Sequence, residues 1–388
     1  MTMTRKNTIN RIIMFMLPLY GIWPGRSITL INRVLWLTST SFVEICHCLY
    51  IISHFNPENF SNILDCLCSV LEHGKMFTKL VVFWINQRKL VEIVTLITDD
   101  WNDCADNDIS MRLTMRKAKI SDRITYGIFT IHALTVIGYC LEIIIADTDV
   151  TDQTIEIPLL NKVKLPFTIK TQGMYRFILI AEFLHMFFSN VLIAIVNNIL
   201  LASVLHMGGQ VEILQSWLSQ LTSKEIGNKK KSFITETSKI IRKHNKIIQF
   251  SENIETLYTY IALYLFVSNI ILICSIAFLI VTAIGTPDAV KQIIKCIFFF
   301  LISNLEAFTF CYAGEYLSNK GETIGFTTYN YPWYNLRPKD IRILLFIIIR
   351  SQKQLILTAG KMMDLSLKSF TSLMNASGSF LSLLLAMQ

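Results

Sequence analysis

The chain has 388 residues, 52% of them hydrophobic, 11% aromatic and 16% charged, with a mean hydropathy of +0.47. A soluble globular chain carries about 25% charge, so one water-soluble core is excluded and long apolar runs must hold the excess. A formal net charge of +8 would suggest nucleic acid in a soluble protein; here the distribution of the basic residues explains it, and no nucleic-acid partner is expected.

Met1 to Asn10 is polar and basic, and the apolar stretch after it is broken by Pro18 and Pro24. No cleavable leader is therefore expected, and the first span must direct insertion. A span needs about 20 mostly apolar residues. Seven runs qualify, S1 to S7, over residues 28–52, 64–85, 124–146, 174–205, 258–284, 293–311 and 363–387. The run Ile341–Ile349 is too short to cross and reads as a half-helix leading into S7, broken around Thr358–Gly360. The expected fold class is an all-α membrane protein with seven transmembrane helices in a single domain. Among Lys and Arg residues, 25 fall in residues 1–26, 86–123, 206–255 and 316–354, against four in the alternate loops. Such an excess marks the cytoplasmic side. The N-terminus is thus expected inside and the C-terminus outside, with the sequon Asn59-Phe60-Ser61 in an outer loop. The basic stretch Glu225–Lys246 reads as positive charge near anionic lipid, with a partner site as the alternative.

Nine cysteines include Cys46-x-Cys48 and Cys66-x-Cys68. Residues two apart on a helix point to different sides, so these are buried thiols rather than ligand pairs, and no spacing fits a metal site. Neither a catalytic motif nor a cofactor motif appears, so no enzyme activity and no cofactor are expected. Glu142 and Glu182 read as packed or cavity-lining carboxyls. In S2, Asp65, Glu72, Lys75 and Lys79 share one helix face. They form either a structural polar seam or the lining of a ligand cavity. In S7, Lys368, Ser372, Asn375, Ser379, Ser382 and Ala386 step by three and four, giving a narrow stripe of polar and small residues. Close helix packing uses small residues in this way. A Lys and an Asn at membrane depth favour a water-filled pore instead, which one helix cannot enclose, so the stripe implies an oligomer.

Cys311-Tyr312-Ala313-Gly314-Glu315-Tyr316-Leu317 opens a series that continues through Gly325, Tyr329 and Trp333-Tyr334-Asn335-Leu336. Arg350-Ser351-Gln352-Lys353, Leu357-Thr358-Ala359-Gly360, Ser366-Leu367 and Phe370-Thr371-Ser372-Leu373 follow in order. Over roughly the last 80 residues this resembles the insect odorant receptors, and Tyr20-Gly21-Ile22-Trp23-Pro24 is similar to their motif before S1. Ser377-Gly378-Ser379-Phe380 departs from the family's Tyr-Ser-Tyr-Phe. A G-protein-coupled receptor fits less well, since its N-terminus lies outside and its Asp-Arg-Tyr and Asn-Pro-x-x-Tyr signatures are missing here. A gustatory-type channel and a transporter are the remaining alternatives.

The resemblance implies a ligand-gated, nonselective cation channel in the plasma membrane of olfactory sensory neurons. The chain would be an odour-tuning subunit, since it lacks the long S4–S5 insertion of the co-receptor with which it would form a heterotetramer in membrane lipid. The ligand, a small organic odorant, would sit in the outer half among S2, S3, S4 and S6. Those stretches offer His73, Met76, Phe77, Gly138, Tyr139, Glu142, Phe183, Phe187, Phe300 and Asn304. S7 would line the pore through Lys368, Ser372, Asn375, Ser379, Ser382, Leu383 and Ala386, with the gate at or beside Ser382 and Ala386.

Overall fold

Lipid offers backbone N–H and C=O groups no partners, so each apolar run must close its own hydrogen bonds and does so as a helix. The computed structural model describes residues 7–25, 28–56, 60–145, 159–221, 230–285 and 289–386. The helices are α1 (Arg11–Met16), α2 (Ile28–Ser53), α3 (Phe60–Ile85), α4 (Gln87–Asp103), α5 (Asp108–Ile145), α6 (Gln172–Leu221), α7 (Lys230–Ala283), α8 (Ala289–Tyr329), α9 (Pro338–Ser351) and α10 (Leu367–Ala386). Seven of the described helices have 20 residues or more, and they fall on the seven apolar runs. Four of these, α2, α6, α7 and α8, are long and apolar enough to cross a membrane by length and composition alone. Asn59 of the sequon lies outside the described residues.

Several helices far exceed a membrane. At ~1.5 Å rise per residue, the 50 residues of α6 and the 54 of α7 reach roughly 2.5 times the ~30 Å hydrocarbon core or more. The excess lies on one side: the starts of α5 and α7 and the ends of α6 and α8, where the basic loops are. These extensions pack with α4 and α9, continue the main hydrophobic core and enclose a buried polar cluster. Its centre is Asp100 on α4. His206 Nε2 lies 3.1 Å from Asp100 Oδ2, and Lys243 and Lys246 each place Nζ 2.8 Å from Oδ1. A carboxylate only accepts, so the neutral imidazole carries its proton on Nε2. Its Nδ1 then accepts from the Thr8 hydroxyl at 2.9 Å, and that oxygen in turn accepts from Trp101 Nε1 at 3.0 Å.

Burial pushes the Asp100 carboxyl up, but the His206 hydrogen bond and the Lys243 and Lys246 charges outweigh it and hold the group well below the usual range. Burial lowers His206, more than the Asp100 contact raises it. Both shifts are depressions, so both contributions are present at neutral pH. The His206 contribution is lost as pH falls below the unfolded value of about 6.5, and the Asp100 contribution below about 3.9. Thermal melting of the purified chain should therefore fall as pH drops from 7 to 5. His206→Gln, which keeps a donor toward Asp100 but does not titrate, should flatten that slope. An unchanged slope in the variant would remove His206 from the account.

The polar face of α3 resolves mainly into a seam with α8. Asp65 accepts from Lys295 at 2.8 Å on both oxygens. Lys75 pairs with Glu72 at 2.7 Å, donates to Ser303 Oγ at 2.7 Å and lies 3.8 Å from Glu306. Lys79 pairs with Glu306 and donates to Asn197 at 3.1 Å. The cysteines are free among the described residues. Cys46 is buried and Cys48 exposed, as opposite sides of α2 require, whereas Cys66 and Cys68 are both buried. Cys46, Cys66 and Cys68 are thus the expected buried thiols, and Cys48 departs from that reading because its side of α2 is not covered by the rest of the chain.

Between α9 and α10 the chain forms a small antiparallel hairpin, β1 (Thr358–Ala359) and β2 (Met363–Asp364). Residues 363–366, expected in S7, thus precede the helix. Gly360 and Lys361 both have φ of 60°, and Met362 N donates to Ala359 O, the geometry of a tight hairpin turn. The hairpin is bolted to α7. Glu255 accepts from both the backbone N–H and the hydroxyl of Thr358, and Thr259 O accepts from Gly360 N at 2.8 Å.

Candidate functional site

At the end of the bundle opposite the basic extensions, α3, α5, α6 and α8 diverge around a cavity of about 70 Å³. Ser69, Glu72 and His73 come from α3, and Thr135, Val136 and Tyr139 from α5. Met186, Ser189, Asn190 and Ile193 come from α6, Phe298, Phe299 and Ile302 from α8, and Asn161 from the loop before α6. These are the four spans that the resemblance assigns to a ligand. An engineered cavity of roughly 150 Å³ holds benzene, so this smaller one takes a ring-sized molecule once wall side chains swing aside. The wall mixes aromatic and branched side chains with a few polar groups, the usual character of a small-molecule site.

Of the expected ligand residues, His73 and Tyr139 line the cavity. His73 is held by Nδ1–H donation to Ser69 O at 2.8 Å, and Tyr139 by its hydroxyl to Leu160 O at 3.1 Å. Gly138 sits just behind the wall, where a Cβ would come 3.0 Å from the ring of Phe298. Met76 is fully buried in the main core and Phe77 is half-buried beside it. Phe183 and Phe187 stack on each other at 6.2 Å and pack against Val136, Cys140 and Leu160. Phe300 packs between the two larger core clusters, and Asn304 donates to Phe300 O within its own helix. The side chain of Glu142 lies outside the described residues. The cavity instead takes α6 and α8 on neighbouring faces: Met186, Ser189 and Asn190 beside Phe187, Phe298 and Ile302 beside Phe300. Those faces are shifted by one to three residues, a rotation that composition alone does not set. Asn161 has no helix periodicity to announce it.

On α10, Lys368, Ser372, Asn375, Ser379 and Ser382 are all exposed, while Leu373 and Ser377 on the opposite face are buried against the bundle. Ser379 and Ser382 return their hydroxyl protons to the carbonyls of Asn375 and Gly378, which satisfies each donor without a partner chain. The side chains of Leu383 and Ala386 lie outside the described residues.

A family-wide sequence profile described as 7tm Odorant receptor matches residues 59–378. The chain belongs to that odorant receptor family. Odorant receptor 10 of Aedes albopictus is 30% identical over 175 residues, 45% of this chain and 46% of that protein. Odorant receptor 85b of Drosophila melanogaster is 28% identical over 149 residues, covering 38% and 37%. These matches span less than half the length of either relative. Odorant receptor 24a of Drosophila melanogaster aligns over 95% of this chain and 94% of its own, at 21% identity. Among solved structures, the insect olfactory receptor OR5 from Machilis hrabei in complex with eugenol superposes with a TM-score of 0.79 at 17% identity, covering 97% of both chains. A second structure of that receptor gives 0.77 at 15%. This odorant receptor therefore has the all-helical, multi-pass fold of the insect olfactory receptors, a family of receptors rather than enzymes.

Proposed function

We propose that this odorant receptor is an odour-tuning subunit of a ligand-gated, nonselective cation channel in the plasma membrane of olfactory sensory neurons. It assembles with a common co-receptor into a heterotetramer in membrane lipid. The N-terminus faces the cytoplasm, the cavity lies in the outer half, and a small volatile or semi-volatile organic molecule binds there. His73 and Tyr139 belong to that site, and Met76, Phe77, Gly138, Glu142, Phe183, Phe187, Phe300 and Asn304 surround it. α9 is a cytoplasmic half-helix and α10 the pore-lining span, with Lys368, Ser372, Asn375, Ser379, Ser382, Leu383 and Ala386 toward the pore.

The observation that carries the channel reading is the stripe on α10. Along α10 a Lys, an Asn and three Ser are left uncovered by their own chain, and in a helix read as a span the Lys and the Asn belong against water or another protein surface rather than lipid. Four subunits around an axis enclose what one cannot. Ligand binding opens the pore if it favours the open state, and about 1.4 kcal/mol of preference shifts the equilibrium tenfold. Co-expression with the co-receptor should give odorant-evoked cation current, and expression alone none. In a background lacking exposed Cys48, a cysteine at Ser379 should be reached by a charged thiol reagent and block that current, while one at buried Leu373 should not. Equal protection of both positions would sink the pore assignment.

A further inference from the structure

Resting on the cavity as the ligand site, we propose that it selects molecules carrying a hydroxyl group, bridged between His73 and Asn161. The Ser69 carbonyl can only accept, so the proton of His73 sits on Nδ1. In the neutral imidazole, the ordinary form at pH 7, Nε2 is then a bare acceptor. It has no protein partner among the described residues, yet it is not sealed off. His73 is 7% exposed and lines the cavity, and the bridge requires that nitrogen to face it. The rings of His47 and His185 flank it at 5.3 and 5.5 Å and fix its plane.

The hydroxyl donors of the wall are committed elsewhere: Ser189 donates to His185 O, Thr135 to Ile131 O and Tyr139 to Leu160 O, and the Asn190 amide spends one of its two N–H groups on Met186 O. Asn161 differs: its oxygen accepts from Ser69 Oγ at 3.4 Å, which leaves both of its amide N–H groups unused. Both unsatisfied groups hang on Ser69, one through its carbonyl and one through its hydroxyl, which keeps them close. A hydroxyl gives a proton to His73 and accepts one from Asn161 at once. An ether or a ketone can only accept, and it leaves the buried His73 nitrogen unpaired, a cost that separates ligands of equal size.

The test uses the purified full chain in lipid nanodiscs, titrated with cyclohexanol and with methoxycyclohexane and read by saturation-transfer NMR. Cyclohexanol should bind on the order of tenfold more tightly. His73→Phe should bring the alcohol down to the ether and leave the ether unchanged. Should that variant fail to fold, Asn161→Leu in the loop removes the half of the bridge that both probes use, and should weaken both while leaving the alcohol ahead of the ether. Equal affinities in the native chain, no binding of cyclohexanol, a folded His73→Phe that weakens both probes alike, or an Asn161→Leu that leaves both untouched would overturn the proposal. Ile193→Trp fills the cavity and separates the two readings. If both probes survive it, the cavity is not the site; if both are lost but never distinguished, the hydroxyl preference alone fails.

Discussion

Glu306→Ala should nearly eliminate folded receptor from the cell surface. Glu306 is 3% exposed and is the shared counter-charge of Lys79 and Lys75, which are 1% and 2% exposed. Lys75 keeps Glu72 when Glu306 is removed, but Lys79 keeps no counter-charge among the described residues, just the Asn197 amide oxygen and the face of the Phe310 ring. An uncompensated buried charge costs about 3–5 kcal/mol, a large share of the ~5–15 kcal/mol that holds a typical domain together. The loss comes from stranding Lys79 rather than from any large net worth of the pair. Lys79→Met combined with Glu306→Met should therefore restore much of the folded population, because two apolar groups replace two charges of similar volume. Surface biotinylation and melting of the purified chain measure both. Native-like surface levels for Glu306→Ala, or a double variant as damaged as the single, would show that the pair is not the buried anchor its geometry describes.

The sequence made the charges of α3 visible but not their partners. Asp65, Glu72, Lys75 and Lys79 share a face by simple periodicity, whereas Lys295, Ser303 and Glu306 lie more than 220 residues away. Nothing local links Glu306 to Lys79. The helices were legible because apolar runs of membrane length have one solution in lipid. Their long extensions at the basic end were less so, since residues 206–221 mix polar and apolar types and pack against α5 and α8 as well as α4 and α7 rather than against lipid. The polar stripe on α10 was readable, because steps of three and four keep residues on one side whatever the helix packs against. The cavity was half legible. Its four helices follow from the family resemblance, but rotation about each axis decides whether Phe187 or Met186 faces the space, and only packing fixes that. Gly314 is the reverse case: the motif holding it was plain in the sequence, and its reason is a contact 51 residues along the chain.

Gly314→Ala should uncouple the receptor while leaving it at the surface. Gly314 lies on α8 where the chain leaving the hairpin crosses it. A Cβ there would overlap the Leu365 carbonyl oxygen and come 2.7 Å from Leu365 Cβ. No rotamer relieves a collision with backbone. Leu365 cannot easily retreat, because its N–H donates to Leu357 O at 2.8 Å and the hairpin is bolted to α7 through Glu255 and Thr259. The neighbouring Glu315 accepts from Leu367 N, the first residue of α10, where a negative charge suits the helix start. This stretch of α8 is thus the seat of α10, and an added methyl moves the seat. Overpacking of this kind costs about 1–3 kcal/mol, enough to bias a two-state opening by tenfold or more without unfolding a long bundle. At matched surface level, odorant-evoked current should fall by about tenfold or give way to constant current, according to which state the shifted helix favours. Gly127→Ala is the control, since nothing lies within 4 Å of a Cβ there and alanine is the better helix former. If Gly314→Ala and Gly127→Ala both behave like the native chain, α10 does not take its position from this crossing.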